Sequence, residues 1–259
     1  MRQQWRLILD NKEDGFLNMA IDEAIFDNYM KYKIPTLRIY GWKEPFITLG
    51  YGQNPDNVLI KGQSIPYVKR ITGGAAILHN EEITYSMICS SEDLNLPRKV
   101  KDSFRCLCSF IIEFYLILNL EAKFAQDINS SCLRRYENFC FSSFEPFDLT
   151  VKGKKIGGNA QRRKRDFIFQ HGSIPQKIDF KLITRLVKGV KDIENKTDCL
   201  DGLLGENTDY YSLRTILAES FKKVFCVGFV EERLFQEETI KVENILTRKM
   251  ALLHNSISA

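Results

Sequence analysis

The apolar positions of the chain recur with two different spacings, which separate its predicted helices from its predicted strands. From Gly15 to Met30 they recur at intervals of three and four residues, the spacing of an amphipathic helix. Residues 103–120 predict a second long helix. The polar segment 188–207 predicts a surface loop. Two further helices are predicted near the C-terminus, over SLRTILAESFKKVF and EETIKVENILTRKMALL.

Short β-rich segments bounded by turn residues follow the first two helices and predict a sheet. Lys152-Gly153 is expected to turn a hairpin within the second group. Helices combined with a predominantly antiparallel sheet predict an α+β fold. The first group of segments is TLRIYGW, FITLGY, YVKRIT, AAILHN and ITYSMICS, and the second is AKFAQD, FDLTVKG, KKIGGNAQ and FIFQHGSI.

The 259 residues, 44% apolar and 27% charged, have the composition of a globular protein with a sizeable core. No repeat or linker divides them, which predicts one domain over residues 1–259 without a separate C-terminal accessory domain. The first residues lack the features of a secretory signal. The apolar segment Cys106–Leu120 is too short to span a membrane and contains Glu113. We therefore expect a cytoplasmic protein with no membrane partner.

Charge and cysteine content exclude several classes of site. The net charge of +4 is too small to indicate nucleic acid as a partner. Basic residues are concentrated only in Lys152–Arg165, which either attracts an acidic protein or a phosphate or forms a solvated hairpin. The seven cysteines show no CxxC motif, which predicts reduced thiols and no metal site.

Two Gly-Gly pairs, in ITGGAAIL and KIGGNAQ, belong to neither of the common phosphate-binding motifs, GxGxxG and GxxxxGK[ST]. A Gly-Gly pair by itself most often marks a β-bulge or a tight turn. Gly73 and Gly74, which precede an apolar strand, also suit a narrow slot whose wall is backbone.

Five segments, in order along the chain, resemble the biotin/lipoate protein ligase superfamily. The resemblance implies a catalytic domain like those of class II aminoacyl-tRNA synthetases and biotin synthetase, with a mixed, mainly antiparallel sheet flanked by helices. It also implies a tunnel for an eight-carbon acyl chain beside Gly73 and Gly74, in which burial of the chain contributes roughly 5 kcal/mol. The segments are NMAIDEAI, LRIYGWKEPFITLGYGQN, KRITGGAAILHNEEITYS, CFSSFEPFDLTVKGKKIGGNAQRR and QHGSI.

Within the superfamily, the chain most resembles the cysteine-dependent octanoyltransferases. Cys140 stands at the position of their nucleophile, a cysteine that lipoate ligases commonly lack. The resemblance implies transfer of octanoyl from octanoyl-acyl carrier protein through a Cys140 thioester to a lysine of a lipoyl domain. The acceptor is the glycine cleavage H protein or a dehydrogenase E2 subunit. No cofactor is expected, because the donor thioester is already activated.

The same resemblance places Lys155 at the acyl thioester, where its charge is expected to lower the pKa of the Cys140 thiol and to stabilise the oxyanion. Lys154 is expected at the surface, and the other six cysteines are expected to be buried thiols. The predicted substrate-binding residues are Arg70, Gly73, Gly74, Ala75, His79, Gly158, Asn159, Ala160, His171 and Gly172.

Some interpretations stay open at this point. His79 either orients groups at the site or is a satisfied structural histidine, and the structural interpretation is favoured for His171. Arg70 and Arg162–Arg165 are expected to form a positive rim that attracts acidic partners. Alternative functions are an ATP-dependent lipoate-protein ligase, an amidotransferase between lipoyl domains and a non-catalytic acyl-protein binder.

Overall fold

The computed structural model describes residues 2–128 and 138–257. The strands in these ranges are β1 (Gln4–Glu13), β2 (Thr36–Trp42), β3 (Phe46–Leu49), β4 (Tyr67–Lys69), β5 (Ile77–His79), β6 (Glu82–Ser90), β7 (Lys123–Phe124), β8 (Leu149–Val151), β9 (Lys154–Lys155), β10 (Gly158–Lys164), β11 (Phe167–Pro175) and β12 (Gly228–Glu231). The helices are α1 (Gly15–Tyr32), α2 (Pro55–Val58), α3 (Val100–Ile117), α4 (Ala125–Ile128), α5 (Phe180–Leu186), α6 (Ile193–Lys196), α7 (Leu200–Leu204), α8 (Tyr210–Phe225) and α9 (Gln236–Ile257).

The main sheet has six strands in the order β10-β11-β6-β2-β1-β12. β1 is parallel to both β2 and β12, and the other three pairs are antiparallel. Two three-stranded sheets, β4-β3-β5 and β7-β8-β9, complete the β structure of the described residues. The predicted α+β class, with a mixed and mainly antiparallel sheet flanked by helices, is confirmed.

Alternating side chains of the main sheet enter two different apolar layers, as the two-residue period of a strand requires. On β6, Tyr85 and Met87 pack in the cluster that contains α3 and α8, whereas Ile88 packs in the cluster that contains α1 and α9. α3 overlaps the predicted buried helix. Within residues 2–128 and 138–257, no helix combines the length and the apolar character that crossing a membrane requires.

The N-terminal strand β1 is a feature that the sequence analysis missed. The charge of Arg6 interrupts the apolar run that precedes α1. Arg6 is nevertheless 3% exposed, because its guanidinium pairs with Glu238 at 2.7 Å. A buried ion pair between residues so far apart in sequence cannot be inferred from local pattern.

Three predicted segments are wrong in part. Only Lys123–Phe124 of AKFAQD is a strand, and Ala125–Ile128 is helical. KKIGGNAQ is broken between β9 and β10 at Ile156 and Gly157, which lie outside both strands. The expected loop 188–207 contains α6 and α7, because Ile193 and Leu200 are buried in apolar clusters and anchor two short helices there. The Lys152-Gly153 turn is confirmed, with positive φ at both residues.

Candidate active site

Cys140 begins a short 3₁₀ turn that is tied to the segment after Gly73 and Gly74. Its backbone N–H donates to the Ala76 carbonyl at 2.9 Å, and the Ala76 N–H donates to the Asn138 carbonyl at 3.0 Å. These bonds form an isolated parallel bridge. The bridge places Cys140, the predicted nucleophile, beside the start of β5, directly after the segment that contains Gly73 and Gly74.

Lys155 lies beside Cys140 with its side chain almost fully buried. Its Nζ is 3.5 Å from the Cys140 Sγ and donates to the Cys140 carbonyl at 2.7 Å and the Ser143 carbonyl at 3.2 Å. It also pairs with the Asp148 carboxylate at 2.7 Å. The two carbonyls and the carboxylate account for the three N–H groups of an ammonium. Asp148 is a site residue that the sequence analysis missed.

Burial raises the pKa of the Cys140 thiol, and the nearby charges of Lys155 and Arg70 oppose that effect without cancelling it. Lys155 thus acts on this pKa in the expected direction, but the thiolate loses more hydration than the two cations return, so the pKa of the thiol is raised overall. Burial also works against the charged form of Lys155, but Asp148 and Cys140 outweigh it and raise the pKa of Lys155. The resting pair is a thiol beside an ammonium.

The second Gly-Gly pair approaches the site most closely. A Cβ placed on Gly158 would lie 2.7 Å from the Cys140 Sγ, and one on Gly157 would lie 2.6 Å from the Ser173 carbonyl oxygen. Gly73 and Gly74 are exposed, and a Cβ on Gly73 would meet no atom within 4 Å. The main chain of the first pair contacts Gly50, where a Cβ would lie 1.9 Å from the Gly74 carbonyl oxygen, and the contact with Cys140 lies at the second pair.

A small cavity lies beside Gly158, between β3, β5, β6, β10 and β11. Its volume of about 20 Å³ holds roughly one water molecule. As bounded by the described residues, this cavity is far smaller than the expected tunnel for an eight-carbon chain. A wider cleft of about 790 Å³ lies among Arg2, Cys106 and Phe225 and contains none of the predicted site residues. The cavity is lined by Met19, Tyr40, Thr48, Arg70, Ile77, His79, Thr84, Gly158, Ala160, His171, Gly172 and Ser173.

Arg70 is 3% exposed and so does not belong to a surface rim, contrary to expectation. Its Nη2 donates to the carbonyls of Gly73 at 2.6 Å and Ala75 at 2.9 Å, which fixes the first glycine loop. Its remaining N–H groups bond Thr48 and Thr72. Burial without a carboxylate partner lowers the pKa of Arg70 to about 10.

His79 is a satisfied core histidine. Its Nε2 bonds the Thr48 hydroxyl at 2.7 Å and its Nδ1 bonds Glu82 at 2.8 Å. Its ring stacks on Trp42, with 3.9 Å between centroids. Because both ring nitrogens already have protein partners, the structure favours the structural interpretation over hydrogen bonding to a donor carbonyl.

His171 lines the cavity from β11, and its Nε2 bonds the Thr72 hydroxyl at 2.7 Å. Burial lowers the pKa of His171 well below its ordinary value, and the charge of Arg70 adds to this effect. The ring is therefore neutral near neutral pH. Since Thr72 also accepts from Arg70 at 3.0 Å, His171 is linked to the first glycine loop.

Gly172 makes room for Asn159 on the neighbouring strand. The Asn159 Oδ1 accepts from the Tyr85 hydroxyl at 2.7 Å. A Cβ on Gly172 would lie 2.1 Å from that same oxygen and 2.5 Å from the Tyr85 ring. Ala160 lines the cavity next along β10.

The other cysteines have varied surroundings. All those in the described ranges are free, Cys89 and Cys108 are buried, and Cys226 is exposed. The expectation that all six are buried thiols is wrong for Cys226, which follows the end of α8 in a left-handed conformation, and for Cys106 and Cys199, which are partly exposed. Cys132 lies outside the described residues. In the ranges 2–128 and 138–257 no group of His, Cys, Asp or Glu side chains is arranged to hold a metal ion.

Comparison with known proteins gives a consistent set of relatives. Residues 14–222 match the model of the lipoyl protein ligase A/B catalytic domain. Octanoyltransferase LipM of Oceanobacillus iheyensis is 30% identical over 259 residues, covering 95% of this chain and 94% of that relative. Octanoyltransferase LipM of Clostridioides difficile is 30% identical over 257 residues, covering 92% of this chain and 94% of that relative.

Solved structures agree in fold. A crystal structure of lipoate-protein ligase A bound with ATP superposes with a TM-score of 0.79 at 20% identity, covering 95% of each chain. The bi-partite lipoate protein ligase of Thermoplasma acidophilum, from a structural analysis with its E2 lipoyl domain, gives a TM-score of 0.76 at 18% identity, covering 95% of this chain and 92% of that one.

Proposed function

We propose that this chain, which belongs to the family of lipoyl protein ligase A/B catalytic domains, is a protein octanoyltransferase of lipoate biosynthesis. The sequence predicts an acyltransferase. The relatives that match more than nine tenths of this chain are named octanoyltransferases, in agreement with that prediction. The observation that carries the proposal is the partly buried contact of 3.5 Å between the Cys140 Sγ and the Lys155 Nζ. A thiol held beside a fixed cation suits acyl transfer through a thioester.

In the first step, the Cys140 sulfur attacks the carbonyl carbon of an octanoyl thioester on an acyl carrier protein. A bond forms between this carbon and Sγ, and the bond to the carrier's pantetheine sulfur breaks. The proton lost by Cys140 is balanced by the proton that the leaving carrier thiolate gains. Exchange of one thioester for another is close to neutral in free energy.

In the second step, a lysine amine of a lipoyl domain attacks the octanoyl thioester on Cys140. An amide bond forms, the bond to Sγ breaks, and the proton that the amine loses is balanced by the one that returns to Cys140. Amide formation from a thioester is downhill, so the reaction needs no ATP. The acceptor is the glycine cleavage H protein or a dehydrogenase E2 subunit.

The exposed cations of β10 and the turn after it support an acidic partner at this site. Arg162, Lys164 and Arg165 are exposed, on the strand whose first residue, Gly158, packs on the Cys140 sulfur. Arg163 is half-buried and donates to Ser103 at 2.6 Å. A positive strand next to the nucleophile speeds the encounter with acidic carrier proteins.

The small cavity has to enlarge to receive the octanoyl chain. Met19 lines it and is 5% exposed. An unbranched, flexible methionine changes rotamer at low cost. We propose that movement of Met19 opens the space for the chain between β10 and α1.

Intact-mass analysis tests the proposed function. The protein is mixed with octanoyl-acyl carrier protein without ATP, beside Cys140→Ala and, as a control thiol, Cys226→Ala. We expect one added octanoyl group in the unchanged protein and in Cys226→Ala, and none in Cys140→Ala. An adduct that persists in Cys140→Ala contradicts the assigned nucleophile. Absence of any adduct, with pyrophosphate release from ATP and lipoate, indicates a ligase.

A further inference from the structure

We infer that Asp148 is a positioning residue for the acyl-transfer reaction: its carboxylate keeps Lys155 charged and aimed at the carbonyl group that becomes bonded to Cys140. The inference rests on the proposed function and adds a residue to it. Asp148 precedes the first residue of β8, and Lys155 is the last residue of β9. The antiparallel pairing of Thr150 with Lys155 holds the two segments in register.

The ion pair is short, buried and fixed from both sides. The Asp148 Oδ2 lies 2.7 Å from the Lys155 Nζ, and the two side chains are 11% and 2% exposed. The same oxygen accepts the backbone N–H of Glu145 at 2.7 Å. The carboxylate is thus anchored to the chain between Cys140 and β8, and it anchors the ammonium in turn.

Without this carboxylate the ammonium would have only carbonyl groups and a thiol around it. Within the described ranges, Asp148 is the only carboxylate that pairs with Lys155. A buried ammonium without an anionic partner favours loss of its proton. Asp148 therefore decides whether Lys155 carries a charge when the acyl group arrives.

Asp148 and Lys155 have opposite effects on the thiol, and this separates two roles for the lysine. The negative charge of Asp148 raises the pKa of Cys140, while Lys155 lowers it. If the role of Lys155 were to lower the pKa of the Cys140 thiol, Asp148 would oppose that role. If its role is to stabilise the developing oxyanion, Asp148 supports it, because the lysine must then stay charged without giving up a proton.

The geometry allows this second role. The Cys140 Sγ lies 3.5 Å from the Lys155 Nζ. During attack, negative charge develops on the carbonyl oxygen of the carbon that bonds to this sulfur. Lys155 can turn toward that oxygen by releasing the Ser143 carbonyl, its most distant oxygen acceptor at 3.2 Å. The ion pair with Asp148 is kept throughout, and Lys155 itself neither gives up nor takes up a proton.

Single-turnover acylation by octanoyl-acyl carrier protein tests the inference in Asp148→Asn, with Glu145→Gln as the matched control. Glu145 is exposed on the same segment. We expect acylation of Asp148→Asn to be slower by about 10- to 100-fold, somewhat less than the loss of an oxyanion donor itself. Glu145→Gln should match the unchanged protein.

The pH profile distinguishes positioning from a merely structural role. Loss of the carboxylate lowers the pKa of Lys155, so the charged form is retained at low pH and lost as pH rises. The rate of Asp148→Asn relative to the unchanged protein should therefore fall between about pH 6 and pH 9, a range that lies below the ordinary lysine pKa. Loss of Asp148 also shifts the titration of the Cys140 thiol, so that titration is followed in both proteins by the rate of alkylation with iodoacetamide. A rate ratio that, after correction for the thiol, is constant with pH overturns the inference.

Asp148→Glu keeps the negative charge, and it still tests the inference if Asp148→Asn does not fold. We expect a lower rate from the displaced carboxylate but a ratio that is constant with pH, and a falling ratio would contradict the inference. If the unchanged protein forms no octanoyl adduct, the proposed function fails. If it forms the adduct and Asp148→Asn shows no pH-dependent ratio, only the role of Asp148 fails.

Discussion

The two Gly-Gly pairs of the chain look alike in sequence and serve different purposes in the structure. Gly73 and Gly74 are exposed, on a loop whose carbonyls Arg70 holds. Gly157 and Gly158 are buried between β9 and β10, where the main chain approaches the Ser173 carbonyl and the Cys140 sulfur.

The difference shows two reasons why a position in the chain is occupied by glycine. At Gly74 the reason is conformational, since its φ of +89° is one that residues with a Cβ rarely adopt. At Gly158 the reason is space, since its φ is not positive and the obstacle is the sulfur of Cys140, the proposed nucleophile. The comparison predicts that substitutions in the second pair act on chemistry and those in the first act on stability or have little effect.

Among substitutions in the two glycine pairs, Gly158→Ala should have the largest effect on activity. The added Cβ would lie 2.7 Å from the Cys140 Sγ, and the sulfur can avoid it by rotating away from Lys155. A misplacement of about 1 Å costs roughly 100-fold in rate. We expect acylation by octanoyl-acyl carrier protein to be slower by about that factor, measured in single-turnover reactions.

Thermal unfolding provides the control for Gly158→Ala. The melting temperature should change little, because the obstructing atom is the end of a short side chain and β10 is an edge strand. A variant that unfolds at much lower temperature would attribute the lost activity to the fold. A variant with normal activity would show that the position of the sulfur in the resting enzyme is unimportant.

The sequence predicted the parts of the site that depend on a single segment. Cys140 and Lys155 were identified by resemblance, and the turn between β8 and β9, which sets Lys155 in place, followed from Lys152-Gly153. The strands β2, β6 and β11 follow from local pattern because each segment is rich in β-branched and aromatic residues and is bounded by turn residues. These features need no knowledge of what lies across the core.

The features that were missed depend on contacts between segments distant in sequence. Asp148 gains its importance only where β8 and β9 pair, and no spacing marks it in advance. Arg70 is expected in a positive rim that attracts acidic partners, and only the fold shows that it is buried and bonded to backbone carbonyls and a threonine hydroxyl. The cavity volume likewise depends on packing of side chains from α1, β3, β5, β10 and β11.

Gly74→Ala should have an intermediate effect, on stability rather than on chemistry. A residue with a Cβ at a positive φ loses about 1–2 kcal/mol, and the new atom would lie 3.0 Å from the Arg70 Nη2. We expect the free energy of unfolding in urea to fall by about that amount. A loss of activity far greater than for Gly158→Ala, with stability unchanged, would reverse the comparison.

Gly73→Ala should have the smallest effect, and it tests the slot interpretation of the first pair directly. A Cβ there meets no atom within 4 Å and needs no positive φ. Alanine at such a position restricts the unfolded chain and stabilises by up to about 1 kcal/mol. We expect urea unfolding to show no loss of stability and acylation to stay within about twofold of the unchanged protein. If acylation falls while stability is kept, the octanoyl donor itself must approach the backbone at Gly73, and both pairs would then be glycine because something passes close to the main chain.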